Sequence, residues 1–306
     1  MPRHSQRLVN PSAMYNSDPD DAAVLRRLQL TELEILKEAV RVCETNGLRY
    51  FLMSGTLLGA VRHGGFIPWD DDVDIAMPRR DYEQFLHLCK EQLDPKYYVH
   101  CNSTDRFYWL PYAKIRKHNT IFDEVDLAHL DVPKGIYVDV FPLDNANTQA
   151  SLFQAAQARV VRAIGMIIFY RKGVFFSRDI RRESTSVRTF LKALLKVLVV
   201  SVSHLLSMHA LSRLQQRVMS WNRNDDAPCY VSLWSRYRWF QQPIPKDRYL
   251  PAAEVGFEGE NFSAPRDWDY ILTGVYGDYM VLPPEDGRVT HRPVRISFDT
   301  GKQEDL

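Results

Sequence analysis

The most direct classifiers of a chain are scarce in this sequence. Four cysteines in 306 residues, at positions 43, 89, 101 and 229, form no CxxC pair, and no histidine set completes a zinc knuckle. Cys43 and Cys89 fall on apolar helical positions, so the thiols read as buried and reduced. The net charge is +1, which points to no partner and gives no reason to expect nucleic acid. The first residues, MPRHSQRLVNPSAMYNSDPDD, contain no apolar core of a signal peptide. Residues 1–20 read as a mobile polar tail, and a cytoplasmic protein is the expectation. No internal repeat is visible. One stretch alone, Phe190 to Met208, reads as apolar enough to be weighed as a membrane span, and Lys192, Lys196 and His204 interrupt it. A buried or membrane-surface helix suits it better.

What is present is ordinary globular material, 45% hydrophobic and 25% charged. Leu25, Leu28, Leu33, Leu36, Val40 and Cys43 recur at helical spacing and predict a helix from Pro19 to Asn46, capped by Asp18 and ended at Gly47. Tyr50 to Met53 predicts a short strand, Gly55 to Arg62 a turn into a short helix, and Val73 to Met77 a second strand. Arg80 to Leu93 predicts an amphipathic helix with Tyr82, Phe85, Leu86 and Cys89 on one face. Strands follow at Tyr97–Cys101, Tyr112–Arg116, Thr120–Phe122 and Ile136–Phe141, the last stopped by Pro142. This order indicates an α/β or α+β core over residues 21–148. Residues 149–225 turn to long helical runs. Between 159 and 223, thirteen Arg or Lys face only Asp179 and Glu183, a local charge of +11. That surface suits an anionic membrane, an acidic substrate or plain solvation. Residues 226–306 read as a region of loops and short helices packing back on the core.

The chemistry concentrates in FLMSGTLLGAVRHGGFIPWDDDVDIAMPRRDYEQF. Gly55-Thr56 follows a strand and opens a helix. Glycine there lets a phosphate approach the backbone, and the helix N-terminus offers unpaired amides, with the Thr56 hydroxyl beside them. Asp72 and Asp74 are two residues apart, so on a strand they share a side. Two carboxylates on one face make a cation site open to phosphate oxygens, and hard oxygen ligands favour Mg2+ or Mn2+. Asp139 is a lone acid inside an apolar strand, a position that demands a partner or a metal. Taken singly these signals are weak: an acidic loop can be solvated, and Asp139 can pair with an arginine. An EF-hand is excluded, because the sixth loop position from Asp70 is Ile75 and the twelfth is Asp81. In order, Gly-Thr, Asp-x-Asp and a later strand acid form the nucleotidyltransferase pattern, suited to in-line phosphoryl transfer.

Those residues resemble the LicD family, whose members include bacterial phosphocholine transferases acting on lipopolysaccharide or teichoic acid and, more distantly, fukutin-related protein. The resemblance rests on three blocks. The first is Gly55 to Gly59, Arg62-His63, Gly65 to Asp74 and Arg80-Asp81-Tyr82. The second is Ala113 to Arg116, Asn119-Thr120 and Gly135 to Asp144. The third is Phe257, Gly259, Phe262, Pro265, Asp269-Tyr270, Tyr276 to Met280 and Pro283-Pro284. The resemblance implies a nucleotidyltransferase-like mixed sheet with flanking helices and a basic helical insertion, an α+β fold. It also implies a CDP-activated alcohol as donor, CDP-choline foremost, and a glycan or lipid-linked glycan as acceptor, with CMP released.

On that basis Asp72 and Asp74 bind the metal, and Asp139 completes the site or activates the acceptor hydroxyl. Lys114 and Arg116 hold the diphosphate, or one of them serves a structural salt bridge. Arg62 and His63 face phosphate, although a histidine hydrogen-bonded at a turn explains His63 equally. Trp69 walls the pocket or sits in the core, and Asp70 and Asp71 support the ligands or cap a helix. Arg80 joins them as a substrate-binding candidate. His291 and Arg292 are more remote candidates for the donor. Two other readings stay open: transfer of a whole nucleotide to a small alcohol or antibiotic, and a non-catalytic protein bound to membrane through the basic helices.

Overall fold

The computed structural model describes residues 7–8, 19–125, 127–147, 152–172, 200–285, 288, 290–291 and 293–299. Helix α1 (Pro19–Thr45) comes first in the core. Leu25, Leu28, Leu36, Val40 and Cys43 are buried and Leu33 packs beside them, as the 3.6-residue spacing requires. Gly47, at φ 62°, ends the helix in the left-handed conformation. The Asp18 cap lies outside the described residues, as do Arg292 and most of the Phe190–Met208 stretch. Of residues 1–18, only Arg7–Leu8 is described, as strand β1.

The main sheet is built from β2 (Phe51–Leu52), β3 (Asp74–Pro78), β4 (Tyr97–His100), β5 (Ala113–Lys117) and β7 (Tyr137–Ala146), in the order β2-β3-β7-β5-β4. β3 and β7 run parallel, and the other pairings are antiparallel. Strands β8 (Cys229–Val231) and β9 (Ile244–Pro245) extend the sheet from the far end of β7. Helix α1 and helix α3 (Arg79–Gln92) pack against each other and against β7. Helix α2 (Ser54–His63) links β2 to β3. The mixed sheet with its helices makes this an α+β fold.

Three elements differ from the sequence reading. β7 does not stop at Pro142 but runs to Ala146. On one side its partner changes from β5, paired up to Val140, to β8, paired from Asp144. Pro142 lies in that handover, where a residue without an N–H is tolerated. The region after residue 226, read as loops and short helices, also contains strands. It holds β8, β9, a hairpin of β10 (Ala253–Phe257) with β11 (Glu260–Ala264), and β12 (Pro293–Ser297). β12 pairs with β1 and with β6 (Ile121–Glu124) in a second sheet. Finally, helix α4 (Leu152–Lys172) is the one described helix long and apolar enough to cross a membrane by length and composition, whereas the sequence reading considered only Phe190–Met208.

Helix α4 packs against α5 (Met208–Met219). Val161, Met219, Val231 and Leu233 form one small core there, and Trp109, Ile164, Ile168 and Leu211 another. Arg159, Arg162, Arg213 and Arg217 are exposed on these helices. All four cysteines are buried and unpaired.

Candidate active site

Sheet register builds the site. Asp74 lies opposite Asp139 across the parallel β3–β7 pair, Asp139 opposite Lys114 across β7–β5, and Lys114 opposite His100 across β5–β4. Four adjacent strands therefore align one polar row through an apolar sheet. Lys114 Nζ lies 2.7 Å from an Asp139 carboxylate oxygen and 3.3 Å from the centre of the Tyr137 ring. Both charges are buried, and pairing is what makes that burial tolerable.

The loop before β3 adds Asp70, Asp71 and Asp72. Together with Asp74 and Asp139 they line a cavity of about 280 Å3. Burial raises the Asp74 carboxyl well above its usual range, and the neighbouring Asp72 and Asp139 charges raise it further. Asp70 is raised by burial and by Asp72, Asp71 and Asp74. Asp139 is raised by burial against the opposing pull of Lys114. Carboxylates so crowded fit a bound cation, which would relieve their mutual repulsion.

His291, just before β12, meets this cluster. Its amide and Nδ1 contact the Asp71 carboxylate at 3.0–3.1 Å, and Nε2 lies 3.6 Å from Asp72. Burial lowers the His291 pKa, but Asp72 and Asp71 outweigh it and hold the ring well above its ordinary value. Among the described residues, Asp71, Asp72 and His291 are the group whose ligand atoms converge closely enough to hold a metal ion. Two carboxylates and one imidazole, without thiol, are a donor set fit for a divalent cation.

The start of α2 forms another wall. Met53 occupies the N-cap position without a side-chain cap bond, and Ser54 adopts φ 51°. The first α2 amides therefore have no capping side chain, the condition in which a helix start binds phosphate. A Cβ on Gly55 would fall 2.6 Å from Asp70 Oδ2 and push that carboxylate aside. The buried Thr56 hydroxyl accepts the Asp74 amide hydrogen at 2.8 Å, which fixes the start of β3, and Thr56 does not line the cavity. Thr56→Val leaves that amide without its partner. It is expected to lower stability by about 1–3 kcal/mol in urea unfolding, whereas Thr56→Ser retains the bond and the stability.

The remaining sequence candidates lie outside the cavity lining. Arg62 donates to His63 Nε2 at 3.0 Å and to the Tyr279 carbonyl at 2.7 Å. Trp69 packs on the core with the Arg288 guanidinium 4.3 Å over its ring. Arg80 is exposed, 3.4 Å from Asp225. Arg116 is buried and donates to His100 Nδ1 at 3.1 Å and to the Gly135 carbonyl at 2.6 Å. Burial and the Arg116 charge lower the His100 pKa to about 4, so His100 is neutral, with Nδ1 accepting from Arg116 and Nε2 facing Asp105 at 3.0 Å.

The cavity also contains residues the sequence reading left out: Tyr112, Phe141, Thr290 and a run from the loop after β8, Ser232, Trp234, Ser235, Arg236 and Tyr237. Their one signal was compositional, a cluster of hydroxyl, aromatic and arginine side chains in SLWSRY.

Residues 47–163 match the LicD/FKTN/FKRP nucleotidyltransferase domain. The chain carries a LicD-family domain. Within it lie Asp72, Asp74, Lys114 and Asp139, so the polar row of the sheet is the LicD domain's own, whereas Trp234 and His291 come from beyond residue 163. Similarity to known proteins reaches past residue 163. The lipopolysaccharide cholinephosphotransferase LicD of Haemophilus influenzae is 29% identical over 268 residues, covering 87% of this chain and 95% of that protein. Human ribitol 5-phosphate transferase FKRP is 41% identical over 71 residues, only 14% of its length. An uncharacterized protein of Rickettsia prowazekii is 27% identical over 143 residues, 39% of this chain and 54% of that one. The LicD domain and these relatives make the chain a phosphotransferase.

Proposed function

We propose that this protein transfers a phospho-alcohol, phosphocholine foremost, from a CDP-activated donor to a hydroxyl of a cell-surface or lipid-linked glycan and releases CMP. The carrying observation is the convergence of Asp72, Asp74 and Asp139 on one cavity beside the uncapped start of α2. Similarity to LicD, named a cholinephosphotransferase, supports the cargo. The FKRP match supports a polyol phosphate as the alternative cargo.

In this reading Asp72 and Asp74, with Asp71 and His291 beside them, would hold a divalent cation, Mg2+ or Mn2+. When bound, that cation neutralises charge on the phosphoryl oxygens. The α2 amides and Arg236 hold the donor diphosphate from the other side. The acceptor hydroxyl oxygen forms a bond to the phosphorus bearing the alcohol, the bond from that phosphorus to CMP breaks, and CMP leaves. Asp139, partly neutralised by Lys114, is a poorer cation ligand than its neighbours and takes the hydroxyl proton. The exposed arginines of α4 and α5 turn toward an anionic membrane or the acceptor.

Incubating the protein with CDP-choline or CDP-ribitol, Mg2+ or Mn2+ and candidate glycans tests this. Free CMP with phospho-alcohol on the acceptor is the expected result. Release of pyrophosphate from a nucleoside triphosphate, with no use of CDP-alcohols, assigns the site to nucleotidyl transfer instead.

A further inference from the structure

The cavity has two chemically distinct rows. Asp139 and Phe141 are two residues apart on β7 and both line it, so they share one face of the strand. The aromatic row thus lies one pleat from the carboxylate row, about 6.6 Å along the strand. Tyr112, just before β5, joins Phe141 there with ring centroids 4.4 Å apart. Trp234 and Tyr237, from the loop after β8, line the same cavity.

Both loop aromatics are held from behind. Trp234 lies against α4, where a Cβ on Gly165 would fall 2.0 Å from its ring, and it stacks with Phe169 at 5.7 Å. Tyr237 packs edge-on to Tyr276 at 5.5 Å, and the Tyr276 hydroxyl donates to the Tyr237 hydroxyl at 3.3 Å. The helical insertion and the C-terminal helix α6 (Trp268–Tyr276) thus preset an aromatic surface. Pre-set aromatic faces next to net negative charge attract a quaternary ammonium, which carries no hydrogen-bond donor and is held by ring faces and Coulomb attraction. A polyol chain would call instead for hydrogen-bonding groups, which in this cavity are Ser232, Ser235, Arg236 and Thr290 and not the aromatic row.

We propose that Tyr112, Phe141, Trp234 and Tyr237 form the specificity pocket for the alcohol half of the donor, and that it selects a quaternary ammonium one short linker away from the phosphate. This assignment rests on the phospho-alcohol reading above. A phosphate bound at the carboxylate row and a trimethylammonium bound at the aromatic row are separated by about one pleat, which a two-carbon linker spans.

The test needs no turnover. Binding of phosphocholine and of its uncharged carbon isostere, 3,3-dimethylbutyl phosphate, is measured by calorimetry on the full chain with Mg2+ present. Phosphocholine is expected to bind about tenfold more tightly than the isostere. Trp234→Leu and Phe141→Leu are each expected to remove that preference while leaving isostere binding within about threefold. Phe141→Leu alone decides the point if Trp234→Leu fails to fold. Equal binding of the two compounds by the parent protein, a preference untouched by the Leu substitutions, or tighter binding of ribitol 5-phosphate overturns the proposal. Turnover of CDP-choline without discrimination against the isostere refutes this pocket but keeps the phosphotransfer reading. Selective phosphocholine binding without any CDP-alcohol turnover does the reverse.

Discussion

Asp74→Asn is expected to give a folded protein whose transfer rate falls by about a thousandfold or more. Asp74 stands at the register point where β3 meets Asp139 of β7, and its carboxyl is crowded by Asp72 and Asp139. Asparagine keeps the shape and the backbone amide that Thr56 holds, but it removes the charge. The fold therefore loses nothing that supports it and is relieved of repulsion. Without divalent cation, the melting temperature should equal or exceed that of the parent, by a few degrees at most. Adding Mg2+ or Mn2+ should raise the melting temperature of the parent and not that of the variant, because binding to the native state alone stabilises it. CMP release and melting curves with and without cation check both halves. Undiminished transfer by Asp74→Asn would sink the metal assignment.

The second large effect concerns stability alone. Arg79, at the start of α3, grips Asp144 of β7 through two bonds of 2.6 and 3.0 Å, with both side chains buried. The Arg79 guanidinium also donates to Gln216 of α5 at 3.2 Å. One side chain thereby ties a core helix, the main sheet and the helical insertion together, at the point where β7 passes to β8. Arg79→Met leaves Asp144 charged and buried without its partner, and the urea midpoint should fall by the equivalent of about 3–5 kcal/mol. Replacing both partners, Arg79→Met with Asp144→Leu, should restore most of that loss, because no orphan charge remains. A single variant as stable as the parent would show that the pair contributes little.

The carboxylate row was legible in the sequence because its physics is local. An acid inside an apolar strand and two acids at spacing two announce themselves without tertiary information. Helix α1 was legible for the same reason, since its buried face repeats every third or fourth residue. What escaped was set by partners distant along the chain. Pro142 looked like a terminus because its tolerance depends on where β5 ends and β8 begins. Thr56 and Arg116 are of a type that fits phosphate, yet both lie outside the cavity lining, where the Asp74 amide, His100 and the Gly135 carbonyl engage them. Trp234, Tyr237 and Tyr112 gave no spacing signal, because they reach the cavity from separate segments brought together by sheet pairing and by the packing of α4.

The strand β12 has a consequence for the order in which the protein comes into being. It pairs with β6 and is preceded by His291, so a late segment both completes a sheet and delivers a group to the cavity. A chain emerging from the ribosome presents Asp72, Asp74 and Asp139 long before Trp234, and His291 last of these. The cavity therefore gains its His291 wall only once the segment carrying β12 has been made. A premature stop after about residue 280 would yield a species with the carboxylate row in place, no His291, and the edge of β6 uncovered for pairing with other chains.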